Sequence, residues 1–501
     1  MNNYDVVVVG GGTAGSVLAA RLSERADLRV LLIEAGSGAP LPAMGTPPAW
    51  PTLVRGPANW GELTVPQGAV GAVTPLPRGR GLGGGSSINA MLFTRGHWDS
   101  YQRWVEAGAK DWSYYDLLPY FKRSENAVGK DPVLRGRGGP LTVGPADRIN
   151  PVLAAALAGA IEVGQRRATD ISGGIEEGFA PVDLNIVDGR RQSAADAYLT
   201  PVLDRGNLEV VTDALVHRLR IVDGRCTGVD YSVGSTLTTV SAGEVVVSAG
   251  AFGSAQLLML SGVGPQEHLR QVGIDVLSDL PGVGANLQDH PIANVVYRSA
   301  RPVPTPENNH GEIIGLVRSA RELTGPDLQL IFVDLPRPVN GHPGPDQGYT
   351  IGVSVMQPHS RGTVRLANAT PGSAPLIDPN YYGDDRDLDA VVEGLRLARR
   401  IGRSAALEQW RAAEVIPGPA SDDEEELRDY ARRAVASYCH PVGTLAMGDG
   451  EHAVVDNELR LRGIAGVRVA DGSIMPSIPS GNTNATVYAI AERAAELILE
   501  G

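Results

Sequence analysis

Three glycines and one acid near the amino terminus have a spacing suited to binding a dinucleotide. Gly10, Gly12 and Gly15 stand at the first, third and sixth positions of a glycine-rich turn, and Glu34 follows later in the sequence. In such a turn the first glycine allows a tight bend, the second lets the backbone approach a pyrophosphate, and the third lets helix and strand pack closely. An acid about twenty residues further on accepts hydrogen bonds from ribose hydroxyls. The spacing predicts a dinucleotide site and leaves FAD and NAD both open.

The elements that must position these residues can be predicted from the neighbouring sequence. An apolar run at 4–9 precedes the turn, a periodic segment at 17–22 follows it, and a second apolar run at 30–33 ends at Glu34. This order predicts a strand, a turn, a helix and a strand. The phosphates would lie at the helix N-terminus, where free N–H groups and the helix dipole favour negative charge.

The rest of the chain shows two kinds of secondary-structure pattern. Strands are predicted at 208–211, 216–221, 228–231 and 244–248, with Asp223-Gly224 as a hairpin turn, and Ser113 is a candidate N-cap. Between 291 and 415 short strands (328–332, 350–355) accompany one amphipathic helix, 388–401, and helices at 422–436 and 486–499 follow. We predict an α/β protein. Its Rossmann-like cofactor domain would comprise 1–150, 201–290 and 430–501, and a mostly antiparallel substrate domain flanked by helices would comprise 151–200 and 291–429.

Composition excludes several classes of protein. The net charge of −13 argues against nucleic acid or an anionic membrane as a partner. No apolar run reaches the ~18 residues of a membrane span. A strand begins at once without a visible signal peptide, and only Cys226 and Cys439 are present, so we expect a cytoplasmic protein without disulfides. His, Cys, Asp and Glu do not cluster at metal-ligand spacing, so we expect no metal. The oligomeric state stays open.

Several long motifs resemble those of the glucose–methanol–choline (GMC) oxidoreductases, which are FAD-dependent enzymes that oxidise alcohols. They occur in the family's order over essentially the whole chain. The glycine-rich segment 79–89 is similar to the first signature, and 250–264 is similar to the second, with Ala255 as a departure. Further matching blocks are 280–291, His440 to Thr444, 469–473 and 482–484.

The resemblance implies FAD as the cofactor, with Gly84, Ser87 and Asn89 along its pyrophosphate and ring. Ile88 stands where some relatives carry a histidine bonded covalently to FAD, so we expect dissociable FAD. Val216 would read the adenine edge through its backbone, and Asp471 and Gly472 would meet the ribityl chain. The whole predicted cofactor set comprises Gly10, Gly12, Thr13, Ala14, Gly15, Glu34, Ala35, Arg80, Gly84, Ser87, Asn89, Ala90, Val216, Ala249, Gly250, Asp471, Gly472, Asn482 and Thr483.

The resemblance places the chemistry on His440 and Asn482. A neutral imidazole is suited to remove the hydroxyl proton while hydride leaves the carbon, because its pKa lies near operating pH. A carboxamide can donate to the developing alkoxide without competing for the proton. We therefore expect His440 to act as general base, and then as an imidazolium that favours electron transfer to oxygen, and Asn482 to hold the substrate oxygen.

The other candidate residues have structural interpretations. Cys439 is interpreted as a small buried side chain. Ser86-Ser87 lacks the strand–turn–helix setting of a hydrolase nucleophile. The remaining histidines are interpreted as core or capping residues: His97, His217, His268, His290, His310, His342, His359 and His452.

The expected reaction is oxidation of a small primary alcohol on an aromatic or heteroaromatic ring, with O2, a quinone or another carrier as electron acceptor. Choline is an alternative substrate, although its trimethylammonium group would need an aromatic or acidic cage. A hydroxynitrile lyase with non-redox FAD and a non-catalytic flavin carrier are alternatives from other classes. A nicotinamide dehydrogenase is disfavoured because the chain shows one dinucleotide fingerprint.

Overall fold

The structure is a computed structural model that describes residues 3–71, 73–338, 343–418 and 423–500. Its larger core surrounds a sheet of seven strands. Asn3–Val9 lies at the centre and pairs in parallel with Val30–Ile33 and with Thr236–Val247. These strands are buried on both faces, which explains their unbroken runs of Val, Leu and Ile. The strand order is Leu208–Val211, Val30–Ile33, Asn3–Val9, Thr236–Val247, Arg225–Val233 and Ala214–Val222, with Val467–Val469 beside Thr236–Val247.

An antiparallel hairpin extends this sheet on one side. Ala214–Val222 and Arg225–Val233 pair antiparallel, and Asp223 and Gly224 between them have φ of 48° and 73°. Two consecutive positive φ values are typical of the turn that joins right-twisted strands most easily, and an Asp-Gly pair accepts them. The hairpin predicted from the sequence is confirmed.

A second sheet of seven strands forms the other layer, and every pairing in it is antiparallel. The amphipathic helix Asp385–Gly402 packs against it through Leu388, Val391 and Leu395, which are buried. The strand order is Arg411–Ile416, Pro291–Ser299, Gly348–Val355, Leu328–Val333, Ile313–Val317 and Gly178–Pro181, with Ala436–Ser437 beside Pro291–Ser299. The predicted mixed fold, with an antiparallel substrate-side sheet, is confirmed.

The helices differ from their predicted bounds by a few residues, most being longer and one shorter. Ser113 forms the expected N-cap, because its hydroxyl accepts from the backbone N–H of Asp116. The predicted helix 422–436 is observed as Glu424–Ala434 and is capped by Asp423, whereas Asp422 lies outside the described residues. The α-helices are Thr13–Leu22, Trp50–Leu53, Trp98–Glu106, Tyr114–Ser124, Pro151–Glu162, Gly250–Leu260, Gln266–Gln271, Asp385–Gly402, Glu424–Ala434 and Asn484–Glu500.

The carboxyl-terminal helix returns to the glycine turn. Helix Asn484–Glu500 packs beside helix Thr13–Leu22. The buried Glu492 forms an ion pair with Arg21, with 2.8 Å between Arg21 Nη2 and Glu492 Oε1. At the other end the Thr13 hydroxyl donates to Asn484 Oδ1 at 2.9 Å. This packing brings residues 482–484 next to the glycine turn, and Thr13 and Asn484 are 471 positions apart in the sequence.

The segment 151–200 connects the two layers. Helix Pro151–Glu162 packs into the core of the second sheet, and Gly178–Pro181 is an edge strand of that sheet. The first part of 151–200 thus packs on the second sheet, whereas Ala194, Ala197, Tyr198 and Leu199 pack into the core of the first sheet, and the domain boundaries stay a prediction.

Candidate functional site

A cleft of about 330 Å³ lies at the carboxyl ends of the central parallel strands. The three glycines of the turn have distinct roles there. A Cβ on Gly10 would lie 2.6 Å from the Ser248 carbonyl oxygen, and a Cβ on Gly15 would lie 1.8 Å from the Gly10 carbonyl oxygen, so both positions exclude a side chain. A Cβ on Gly12 would instead point into open space, with the nearest atom 3.9 Å away. The space beside Gly12 is what a close pyrophosphate requires.

The N-terminus of helix Thr13–Leu22 opens into this cleft. Gly12 is the N-cap residue, and no side chain caps the first N–H groups of the helix. These N–H groups, together with the helix dipole, form a site for the anionic pyrophosphate of a dinucleotide. The residues present therefore fit FAD, with Gly12, Thr13 and Ala14 placed to hold its phosphates.

Two buried carboxylates hold the loops around the cleft. Glu34 Oε2 accepts from Gly11 N–H at 2.7 Å, and Oε1 accepts from Gly36 and Gly81 at 2.7 and 3.0 Å. Asp471 Oδ2 accepts from Gly250 N–H at 2.8 Å and from the Ser254 hydroxyl at 2.6 Å. Each carboxylate thus joins loops that are remote in the sequence. The ribose contact expected of Glu34 stays a prediction.

Most of the predicted cofactor residues surround the cleft. Val216 lies beside a register shift of its strand, and Arg78, which the sequence analysis missed, also lines the cleft with its guanidinium paired to Glu62. Gly15, Arg80 and Ser87 line neither this cleft nor the chamber beside it, and Arg80 lies over the Trp60 ring instead. The predicted residues that line the cleft are Gly10, Gly12, Thr13, Ala14, Glu34, Ala35, Gly84, Val216, Ala249, Gly250, Asp471, Gly472 and Thr483.

A chamber of about 310 Å³ adjoins the cleft on the side of the second sheet. Gly79, Gly85, Cys439 and Thr483 line both spaces. The chamber wall is largely apolar and includes residues from three strands of the antiparallel sheet, Pro291–Ser299, Leu328–Val333 and Ala436–Ser437. The predicted residues Asn89, Ala90, His440 and Asn482 also line this chamber.

His440 is held by a second histidine. The Nδ1 atoms of His440 and His290 lie 2.9 Å apart, and His290 Nε2 lies 3.1 Å from the Met356 carbonyl oxygen. A carbonyl oxygen only accepts, so a neutral His290 carries its proton on Nε2 and accepts at Nδ1. The hydrogen-bond network therefore assigns the proton of neutral His440 to Nδ1 and leaves Nε2 as an acceptor.

Asn482 contacts the accepting nitrogen of His440. Its Nδ2 lies 3.2 Å from His440 Nε2, and its Oδ1 accepts from Gln329 Nε2 at 3.2 Å. Because His440 Nε2 accepts, the Asn482 amide must present N–H to it, and Gln329 supports that orientation. The donor and the acceptor are bonded to each other at the chamber wall, and an alcohol hydroxyl that replaced this bond would donate to His440 Nε2 and accept from Asn482 Nδ2.

Burial keeps both imidazoles neutral. It lowers the pKa of His440 to about 3. The pKa of His290 lies well below its usual value because of burial and the neighbouring His440. A buried imidazole resists protonation because the charged form loses its hydration.

Asp289 positions the histidine pair and was missed by sequence reasoning. Its Oδ1 accepts the backbone N–H of His290 and of His440, both at 2.8 Å. Its Oδ2 accepts from the Tyr381 and Ser437 hydroxyls. The sequence shows that Asp289 directly precedes His290. It does not show that Asp289 also contacts the backbone of His440.

Two interpretations from the sequence need comment. The interpretation of Cys439 as a buried side chain is wrong, because its side chain is exposed and lines both the cleft and the chamber. Cys439 directly precedes His440 and has a φ of 67°. His290 and His310 are buried, as predicted for core residues, but His290 also contacts His440, and His310 lines the chamber with Nδ1 2.7 Å from Asp334 Oδ1. His342 lies outside the described residues.

Metal and membrane sites were searched in the described parts of the chain. Across 3–71, 73–338, 343–418 and 423–500, no three His, Cys, Asp or Glu side chains are grouped so that they could hold a metal ion. None of the helices in these same ranges is both long and apolar enough to cross a bilayer.

Comparisons with known proteins agree with the geometry of the cleft. The family models of GMC oxidoreductases match residues 4–292 and 358–491. The chain is 38% identical to an oxygen-dependent choline dehydrogenase of Rhizobium johnstonii and 37% identical to one of Brucella canis, each match covering 99% of this chain and 95% of the relative.

Solved structures show the same fold. Pyridoxine 4-oxidase from Mesorbium loti superposes with a TM-score of 0.96 at 36% identity, covering 100% of both chains. A formate oxidase variant from Aspergillus oryzae RIB40 gives 0.91 at 28% identity, covering 100% of this chain and 98% of the other. Together with the glycine-lined cleft, the open helix N-terminus and the matches over most of the sequence, these findings show that the chain belongs to the GMC oxidoreductases, a family of FAD-dependent enzymes that act on alcohols.

Proposed function

We propose that the protein oxidises a small primary alcohol on an aromatic or heteroaromatic ring to the aldehyde. One observation carries the proposal: His440 Nε2 and Asn482 Nδ2 lie 3.2 Å apart at the wall of a chamber that adjoins the cofactor cleft. Bound FAD supplies the hydride acceptor, its N5 atom. O2, a quinone or another carrier then takes up the electrons.

His440 is the proposed general base. Its Nε2 accepts the hydroxyl proton while the hydride leaves the same carbon atom of the alcohol. A lowered pKa makes a weak base, but it also keeps the imidazole unprotonated at neutral pH. As hydride leaves, the alcohol oxygen becomes part of a nascent carbonyl and its proton becomes strongly acidic, so a weak base at hydrogen-bond distance suffices.

Asn482 is the proposed donor to the substrate oxygen. The amide carries two N–H groups, and Gln329 accounts for its carbonyl oxygen, so the amide can donate to the alcohol oxygen and cannot accept the proton. A fixed neutral donor stabilises negative charge on that oxygen as the O–H bond breaks.

The charge of the chamber lining favours an alcohol on a ring that carries no positive charge over choline as the substrate. None of the described residues that line it is an acid, and Arg337 contributes a positive charge. A trimethylammonium group would therefore meet a like charge without a carboxylate to balance it. Choline stays an alternative because the curated relatives at 36–38% identity are choline dehydrogenases.

We further propose that FAD is held without a covalent bond, since Ile88 lines the chamber where a linking histidine would stand. Acid precipitation should leave the yellow chromophore in the supernatant. A precipitate that retains the flavin colour would contradict this proposal.

The reaction is tested by anaerobic mixing of the holoenzyme with a panel of primary alcohols that includes benzyl, furfuryl and pyridyl alcohols and choline. We expect aromatic alcohols to bleach the flavin absorbance, and admission of air with a peroxide assay then reports whether O2 is the acceptor. Conversion of a hydroxynitrile with unchanged flavin colour would instead indicate a lyase. A flavin that no alcohol bleaches would overturn the proposed function.

A further inference from the structure

Among the described residues that line the chamber, Arg337 is the one arginine, and the proposed reaction gives it no role in binding the substrate. It follows strand Leu328–Val333 and lines the same chamber as His440 and Asn482. Its backbone is fixed on both sides, because its N–H donates to the Thr350 hydroxyl at 2.9 Å and its carbonyl accepts from Asn294 Nδ2 at 3.2 Å. The guanidinium carbon lies 5.3 Å from the centre of the Trp50 ring.

The guanidinium lacks an anionic partner within the described ranges. No carboxylate among those residues forms an ion pair or a hydrogen bond with it, whereas Arg95 and Arg135, which are fully buried, both pair with Glu125. Asp334, three positions before Arg337, already accepts from His310 and Asn150. The Arg337 side chain is exposed, so its guanidinium is accessible to an anionic group that enters the chamber.

The cofactor does not account for this charge. The phosphate site lies at the N-terminus of helix Thr13–Leu22 in the adjoining cleft, and the arginine that lines that cleft, Arg78, is paired with Glu62. Arg337 lines the chamber but does not line the cleft. The guanidinium is therefore free to bind a group of the molecule that enters the chamber.

We propose that the substrate carries a carboxylate, which Arg337 binds while the hydroxymethyl group of the same molecule meets His440 and Asn482. The proposal rests on the proposed function and names its substrate class: an aromatic or heteroaromatic alcohol with a carboxylate on the opposite side of the ring. Arginine suits a carboxylate because its planar fork can donate two parallel hydrogen bonds. The carboxylate serves recognition only and does not react.

The first experiment measures binding without turnover. The holoenzyme is titrated with 4-methylbenzoate and with its neutral isostere 4-methylbenzamide, and binding is followed by the change in the flavin absorption spectrum. We expect the carboxylate to bind more tightly than the amide by roughly tenfold or more, as for a charge-assisted hydrogen-bonded pair. In Arg337→Gln this preference should disappear, and Arg337→Lys should keep part of it because it retains the charge but not the fork.

The second experiment measures anaerobic flavin reduction with 4-(hydroxymethyl)benzoate and 4-(hydroxymethyl)benzamide. Arg337→Gln should lower kcat/KM for the carboxylate by about 10–100-fold and change that for the amide by less than about threefold. Arg148→Gln, which removes an exposed arginine, is the matched control and should change neither. FAD content and thermal midpoint report whether each variant is folded.

The outcomes separate the two proposals. If both alcohols bleach the flavin equally well and Arg337→Gln affects them alike, the inference about Arg337 is wrong and the proposed function stands. If 4-methylbenzoate binds through Arg337 but no alcohol bleaches the flavin, anion recognition stands and alcohol oxidation fails. A wild-type enzyme that prefers the amide in both experiments overturns the inference even if the Arg337 variants do not fold.

Discussion

The Nδ2 atom of Asn482 lies 3.2 Å from Nε2 of His440, although 42 positions separate the two residues. His440 follows the short strand Ala436–Ser437, which is bound to the second sheet, and Asn482 precedes helix Asn484–Glu500, which packs on the first helix of the cofactor layer. The pair therefore joins the two layers of the molecule at the boundary between cleft and chamber.

Replacing His440 removes the proposed base. His440→Ala should lower the rate of flavin reduction by about 10²–10⁴-fold, the range typical of a lost general base, while FAD stays bound. Stopped-flow absorbance under anaerobic conditions measures this rate. His359→Ala is the control, because that histidine is exposed and remote from the chamber lining. Wild-type reduction rates in His440→Ala would remove His440 from the mechanism.

Replacing Asn482 removes the donor to the alcohol oxygen. Asn482→Ala should slow flavin reduction by about 10²–10³-fold, the loss typical of one preorganised donor. Gln329→Leu should give a smaller decrease, because it frees the Asn482 amide to rotate without removing it. Both rates come from the same stopped-flow assay, with FAD content as the check on folding. An unchanged rate in Asn482→Ala would indicate a purely structural role.

The rate of flavin reduction should depend weakly on pH near neutrality. Burial lowers the pKa of His440 to about 3, so the unprotonated base predominates at any pH well above that value. The kcat/KM for a neutral alcohol should therefore stay level down to about pH 5, where an unperturbed imidazole with a pKa near 6.5 would already be mostly protonated. An acidic limb with a midpoint near 6.5 would contradict this expectation if it persisted in the variant His359→Ala. If that variant lacked the limb, the expectation would stand.

The free energy of unfolding should rise with pH across the acidic range. The pKa values of His290 and His440 lie below that of a histidine in the unfolded chain, so the unfolded state binds more protons between about pH 3 and 6.5. Their contribution is complete above the unfolded pKa and is lost as pH falls towards the folded pKa. Urea unfolding at pH 5 and 7 measures the slope, which should be smaller in His440→Asn. Equal slopes in the two proteins would show that His440 titrates normally when folded.

Gly12→Ala should separate cofactor binding from folding. The added methyl group meets no protein atom closer than 3.9 Å, so the apoprotein should unfold at the wild-type temperature. The methyl group would occupy space reserved for the pyrophosphate, so affinity for FAD should fall by about tenfold or more. Flavin fluorescence on titration of apoprotein measures the affinity. Gly206→Ala is the control, since a Cβ there meets nothing within 4 Å. Wild-type affinity in Gly12→Ala would place the phosphates elsewhere.

Local rules in the sequence determined the elements and the family. The strand–turn–helix unit at 3–22, the Asp223-Gly224 hairpin and the Ser113 cap depend on short-range sterics and hydrogen bonds, so residue types a few positions apart were enough to predict them. The long motifs indicated the family, which the matches over 4–292 and 358–491 confirmed.

The tertiary structure alone decided which side chains meet at the chamber. The contact of His290 with His440, the carboxylate of Asp289 that accepts from both backbones, and the position of Arg337 at the chamber all depend on packing between segments far apart in the sequence. Cys439 shows the same limit, because its exposure follows from the path of one loop between two cavities. A residue's type limits what it can bind, but the burial and the partners that set its charge and proton position come from the assembled fold.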